Sequence, residues 1–231
     1  MQEWNANNDG HTWLLQQIAE HEQKTTEKLK LVCDSTGHEF NLNDVHEDQE
    51  EIVYFVLRKL EEFLDIKKER KGKKFEPVRL TVTGAAGSGK SRVVHVLTNT
   101  FRRIFGRNDV VHICAPTGAA ANNAGGQTLH RLAAVNPFKP NEDIKGKKKD
   151  NMINCFRFAL MLIMDERSMI TCENLGAAEK HIATTAHCGN HENEDWGGIP
   201  FVIMVGDDYQ LPPASNKDLN PFDILQENTK E

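Results

Sequence analysis

The 231-residue chain carries 28 basic and 34 acidic side chains, a formal charge of −6, and is 39% hydrophobic. That balance fits one sizeable α/β domain with some decoration and argues against a generally basic nucleic-acid binder. No apolar stretch approaches the ~20 residues of a bilayer-spanning helix, and the acidic start shows no charged-then-apolar leader, so no membrane segment is expected. The total hides a split: residues 1–66 hold 15 acidic and 5 basic side chains, and residues 67–231 hold 19 and 23. Any contact with a phosphate backbone is therefore expected to be local and built from the later part.

Residues 1–40 show weak periodicity and read as an acidic, partly ordered extension, with the main domain running from 41 to 231. From Glu47 to Ile66 the apolar residues Ile52, Val53, Val56, Leu57, Leu60, Phe63 and Leu64 recur at helical spacing, which predicts an amphipathic helix. The lysine-rich run Lys67–Lys74 after it reads as a solvated connector rather than a DNA-contacting patch. Arg79–Thr83 predicts a buried strand, followed by a glycine-rich turn and a helix over Lys90–Phe105. Val110–Ala115, Leu160–Met164 and Phe201–Val205 predict three further strands. Apolar strands alternating with helical segments imply a parallel sheet with helices on both faces, whose ligands sit at the carboxyl ends of the strands.

The cysteines Cys33, Cys114, Cys155, Cys172 and Cys188 are odd in number and scattered, with no C-x-x-C pair. They read as reduced, mostly packed thiols. His187, Cys188 and His191 cluster but lack a fourth zinc ligand at sensible spacing.

The unusual residues follow the predicted strands. Gly84-Ala85-Ala86-Gly87-Ser88-Gly89-Lys90-Ser91 matches G-x-x-x-x-G-K-[ST] between a strand and a helix, the context that pattern requires. Gly84, Gly87 and Gly89 let the backbone wrap tightly, so that N–H groups, that of Ser88 among them, converge on phosphates at a helix N-terminus. Lys90 supplies a point charge to the β- and γ-phosphates, and the Ser91 hydroxyl can ligate magnesium. Asp165 and Glu166 end the next apolar run but one. A carboxylate there needs a partner, which a magnesium ion beside the nucleotide would provide; Asp165 then holds the metal and Glu166 orients and deprotonates water. The stretch Gly206–Pro213 puts a polar amide, Gln210, after the last strand, although an ordinary Asp/Gly turn closed by prolines explains it equally. Small and hydroxyl residues at Ala115–Ala121 and Gly125–Arg131 suit close approach of an extended polymer. Thr117, Thr128, His130 and Arg131 are candidates to touch phosphate or base; the plainer reading is a helix cap with a flexible loop.

The order GAAGSGKS, APTGAAANNAGGQTLH, LIMDERSM, GGIPFVIMVGDDYQLPP resembles the superfamily 1 DNA helicases of the PIF and RecD-like branch, from about Leu42 to Ala214. It is also similar to helicases carried by Helitron-type mobile elements. The resemblance implies a RecA-like P-loop NTPase fold, ATP and Mg2+ as ligands, and 5′-to-3′ translocation on single-stranded DNA by two RecA-like domains. It implies an adenine-reading role for Gln49, phosphate and metal roles for Lys90 and Ser91, metal and water roles for Asp165 and Glu166, and coupling of the γ-phosphate to DNA by Gln210. An intracellular site of action is expected, nuclear ahead of mitochondrial or cytoplasmic. Three features depart from the family pattern: Arg167 stands where a smaller side chain is usual, Asp208 adds charge beside Asp207, and the histidine-rich segment 181–196 promises an irregular helix. The second RecA-like domain and its arginines do not follow Pro213, so a partner domain is expected in cis or in trans, and slow turnover without it. The rival expectation is a non-catalytic remnant that only binds nucleotide or single-stranded DNA.

Overall fold

The computed structural model describes residues 30–32, 39–41, 46–69, 74–140, 142–189, 191–207 and 209–210. Most of the 1–40 extension, Leu42–Asp44, Asp208 and the two prolines after Gln210 lie outside them. The chain divides into two compact units, one of Met1–Val78 and Gly89–Val111, the other of Arg79–Ser88 and His112–Glu231.

In the first unit β1 (Lys30–Val32) and β2 (Glu39–Asn41) pair antiparallel, Leu31 opposite Phe40. Helix α1 (Glu47–Glu69) buries Val53, Val56, Leu57, Leu60, Phe63 and Leu64, one stripe at helical spacing, and begins with Glu47, Asp48 and Glu50 where the helix dipole favours acids. It runs three residues further than the periodicity predicts. Lys67–Glu69, read from sequence as connector, are its last residues, and the Lys67 ammonium lies 5.5 Å from the Phe63 ring centroid. The alkyl stem and the cation–π contact explain why a lysine can extend this apolar stripe. Phe63 also meets Phe75 edge-on at 5.2 Å. Helix α2 (Lys90–Phe105) buries Val93, Val94, Val96, Leu97, Phe101, Ile104 and Phe105 and stops at Gly106, whose left-handed φ of 62° lets its N–H reach the Arg102 carbonyl.

The second unit is built on a five-stranded, all-parallel sheet. Its strands are β3 (Val78–Thr83), β4 (Val111–Ala115), β5 (Gln127–Thr128), β6 (Met161–Met164) and β7 (Phe201–Gly206), in the order β3-β7-β6-β4-β5. The predicted α/β class and four of its strands are thus found, within a residue at each end. Strand β6 pairs in parallel with β7, Met161 opposite Phe201 through Met164 opposite Met204. All four β6 side chains are fully buried, which is why the strand is a continuous apolar run rather than an alternating one. Leu162 and Met164 join one core with Phe156, Ile170, Ala178, Ile182, Trp196 and Val202.

Short helices α3 (Gly118–Asn123) and α4 (Leu129–Leu132) flank β5, followed by α5 (Lys147–Phe156) and α6 (Cys172–Ala183). After α6 the chain is irregular, as its composition predicts. Two 3-10 turns, Ala186–Gly189 and Asp195–Gly198, replace helix. The second is pinned by Arg79, which donates to the carbonyls of Ile199 at 3.0 Å and Asp195 at 3.1 Å. Among the described residues no helix is long and apolar enough to cross a membrane.

Candidate nucleotide and nucleic-acid site

The glycine-rich loop leaves β3 and enters α2. Gly87 and Gly89 both have φ of 81°, a left-handed conformation that side chains disfavour. Gly89 is the N-cap of α2 and contributes no side-chain hydrogen bond, and a helix N-terminus is the end whose dipole favours an anion. Within the first unit a Cβ on Gly89 would collide with the Gln49 amide, whose Cδ would lie 3.2 Å away. The first turn of α1 therefore sets Gln49 against the last glycine of the loop. Lys90, half-buried, and Ser91, exposed, follow at once in the same unit.

In the second unit the other motifs converge at the carboxyl ends of neighbouring strands. The Gly84 N–H, at the start of the loop, donates to the Gly206 carbonyl at 3.3 Å. Gly206 ends β7 and lies under Arg167: a Cβ there would sit 2.6 Å from the arginine Cγ and 3.1 Å from its backbone nitrogen. Arg167 is 2% exposed. The departure noted in the sequence is accommodated by the missing side chain of a residue on the adjacent strand.

One strand over, the Asp165 N–H donates to the Cys114 carbonyl at 2.8 Å, tying the end of β6 to the end of β4. Asp165 Oδ1 accepts the Glu166 N–H at 2.9 Å. Glu166 has φ 52° and ψ 44°, a left-handed conformation that costs a non-glycine residue of order 1–3 kcal/mol and that clusters at functional positions. Beside them, complete burial and then the Asp165 charge push the Cys114 thiol up to about 12, so it stays protonated and unreactive.

A cleft of about 480 Å³ opens in this unit between Thr117, Asn123, Glu166, Met169, Tyr209 and Gln210. It brings together three sequence candidates, Thr117, Glu166 and Gln210. Asp207, 5% exposed, shapes one wall: its Oδ1 accepts the Tyr209 N–H at 3.0 Å and its carbonyl accepts the Gln210 N–H at 3.2 Å. Tyr209 and Gln210 consequently project outward, with Tyr209 98% exposed. Neither Tyr209 nor Asp207 was assigned a role from sequence. An Asp bonding the backbone two residues on is a recognised turn device, and that was the available signal.

The remaining nucleic-acid candidates receive local explanations. Thr117 Oγ1 caps α3 by accepting the Ala120 N–H at 3.2 Å, and Thr128 Oγ1 caps α4 by accepting the Arg131 N–H at 3.3 Å. Each hydroxyl keeps its proton to donate. His130 is half-buried and Arg131 exposed. Gly126 is small for a different reason than close approach of a polymer: a Cβ there would collide with the Ile113 carbonyl of β4. Its size serves the β4–β5 pairing, where Cys114 and Ala115 lie opposite Gln127 and Thr128.

Among the described residues no group of three His, Cys, Asp or Glu side chains could hold a metal ion. Magnesium bound with a nucleotide makes a different demand. It takes oxygen donors, keeps several waters and needs only one or two protein ligands beside phosphate. By donor chemistry alone, a hydroxyl such as that of Ser91 and a carboxylate such as that of Asp165 are oxygen ligands of the required kind.

A strand–GxxxxGKS–helix loop, an acidic pair ending the strand two places away and an all-parallel sheet define a P-loop NTPase with a RecA-like fold. The chain belongs to the AAA domain family, whose model matches residues 71–216, and within it the chain is similar to PIF1-like helicases. It is 32% identical over 139 residues to the ATP-dependent DNA helicase RRM3 of Saccharomyces cerevisiae, covering 59% of this chain and 18% of that protein. It is 36% identical over 141 residues to the ATP-dependent DNA helicase PIF1 of the same species, covering 60% and 16%. Among solved structures it resembles Pif1 helicase from Candida albicans, with a TM-score of 0.57, 28% identity and coverage of 77% of this chain and 36% of that one. It also resembles Bacteroides Pif1 in complex with ADP-AlF4, with a TM-score of 0.55, 27% identity and coverage of 79% and 36%.

Proposed function

We propose that this chain is the ATP-binding first motor domain of a 5′-to-3′ DNA helicase, working with a second RecA-like domain supplied in cis or in trans on single-stranded DNA. The chain spans under a fifth of the length of the two yeast relatives, so unwinding is proposed for the complete assembly. The observation that carries the reading is the meeting at Gly206: its carbonyl holds the start of the phosphate loop, its Cα admits Arg167 beside Glu166, and its own strand leads to Gln210.

In this reading the backbone N–H groups at Gly87–Lys90 and the Lys90 ammonium bind the triphosphate, and Gln49, packed on Gly89, reads the adenine edge. Ser91 and Asp165 would hold magnesium, which when bound neutralises phosphate charge as the terminal P–O bond breaks. Glu166 accepts the proton of the attacking water. Gln210, in the same cleft as Glu166 and Thr117, relays the state of the terminal phosphate to the DNA side.

The test is equilibrium binding of ATP with magnesium to the parent and to Lys90→Ala. Removal of a charged hydrogen-bond donor to phosphate is expected to weaken binding about 10- to 100-fold. Equal affinity of the two proteins overturns the assignment.

A further inference from the structure

The cysteines whose side chains lie among the described residues sit in three different settings. Cys114 is wholly buried and stays protonated, as described above. Cys172, half-buried at the start of α6, has no imidazole within hydrogen-bond distance among the described residues. Cys155, half-buried near the end of α5, does: its Sγ lies 3.9 Å from Nδ1 of His112 on β4.

Both partners are fixed in place. Phe156, the next residue of α5, is fully buried and sets its ring centroid 4.8 Å from that of His112, with 47° between the planes. One turn earlier Met152 is buried in the same core as Phe156. The helix cannot roll without exposing these two side chains, so it holds the thiol at the imidazole. His112 is the one polar side chain in Val111-His112-Ile113-Cys114-Ala115 and is half-buried where the other four are buried. A buried parallel strand is ordinarily a continuous apolar run, so packing alone does not account for an imidazole at this position.

We infer that Cys155 and His112 form a reactive thiol–imidazole pair, a modification site for small disulfides such as glutathione disulfide. In the tautomer with its hydrogen on Nε2, the Nδ1 lone pair takes the thiol proton as Sγ attacks one sulfur of the disulfide. The S–S bond of the reagent breaks and a mixed disulfide forms on Cys155. The departing thiolate leaves with the bonding pair and is then protonated by the imidazolium. One disulfide is consumed and one is formed, so no other oxidant is required. Partial exposure admits the reagent to Cys155, whereas burial shuts it out from Cys114.

The test is the rate of mixed-disulfide formation when the reduced 231-residue chain meets excess glutathione disulfide, with acid-quenched samples scored cysteine by cysteine by peptide mass spectrometry. Cys155 is expected to react about tenfold faster than Cys172, the gain open to a thiol that is only a few per cent thiolate near neutral pH when a base adjoins it. Cys114 is expected to remain unmodified. His112→Gln keeps a polar side chain beside the thiol but accepts no proton, and His112→Phe keeps an aromatic ring against Phe156. In each, the Cys155 rate is expected to fall about tenfold while that of Cys172 stands. Unchanged far-UV CD and melting establish that a variant is folded. A Cys155 no faster than Cys172 overturns the inference without recourse to any variant, and so does a folded His112 variant that reacts at the parent's rate.

Discussion

Gly206 has no side chain, and that absence is what allows a whole arginine to be buried next to Glu166. In Gly206→Ala the new methyl would lie 2.6 Å from Arg167 Cγ and 3.1 Å from a backbone nitrogen. The second neighbour cannot swing aside, so overpacking should cost about 1–3 kcal/mol, read from the urea midpoint. Arg167→Ala removes Cγ and leaves only the backbone contact, so the double variant should be less destabilised than the sum of the two singles. Strict additivity would show that the two positions do not compete for space. From sequence, Arg167 was visible only as an oddity after the acidic pair. Its partner lies 39 positions on, and no local pattern connects them. Lys90, Ser91, Asp165 and Glu166 stood out as candidates because a GxxxxGKS turn between strand and helix, combined with paired acids ending a buried strand, has few purely structural excuses.

Helices and strands were read well where one face repeats and poorly where a tertiary tie replaces periodicity. Helix α2 was bounded at Lys90 and Phe105 because a glycine precedes it and another follows. Helix α1 overran its prediction since Lys67 satisfies the apolar stripe with its stem and the Phe63 ring with its charge. The hold of His181, on α6, over the Ala133 and Glu142 carbonyls was not legible at all, because a histidine in an apolar stripe reads as an ordinary core residue. Its two ring nitrogens nevertheless lie within hydrogen-bond distance of two carbonyls 48 and 39 positions away in sequence. In His181→Ala both carbonyls lose their ring contact, and a buried carbonyl left without a donor costs about 1–3 kcal/mol. Water will recover part of this at the more open Glu142, so a loss of about 2 kcal/mol is expected by urea unfolding. A change below about 0.5 kcal/mol would mean that the ring fills space without bridging.

For the molecule as a whole, binding and turnover should separate. If the loop, Gln49 and the two acids act as proposed, the grip on a triphosphate needs nothing from outside. Fast turnover requires cations placed on the transferring phosphoryl group, and in P-loop enzymes an arginine supplied for that purpose is worth 10³–10⁵ in rate. The chain matches 36% of the Candida albicans Pif1 structure, and the remainder of that protein has no counterpart in the match. If the arginines come from a second RecA-like domain, the 231 residues alone should bind ATP yet turn it over slowly. Taking a typical enzyme rate of ~10 s⁻¹ and removing that contribution puts the expectation at roughly 10⁻² to 10⁻⁴ s⁻¹. Phosphate release under saturating ATP, magnesium and oligo-dT measures it, with Glu166→Gln as the control that separates this activity from a contaminant. A control-sensitive rate near 10 s⁻¹ would locate all the required cations within these residues. Arg167, already buried beside the acids, would then be the first of them to replace.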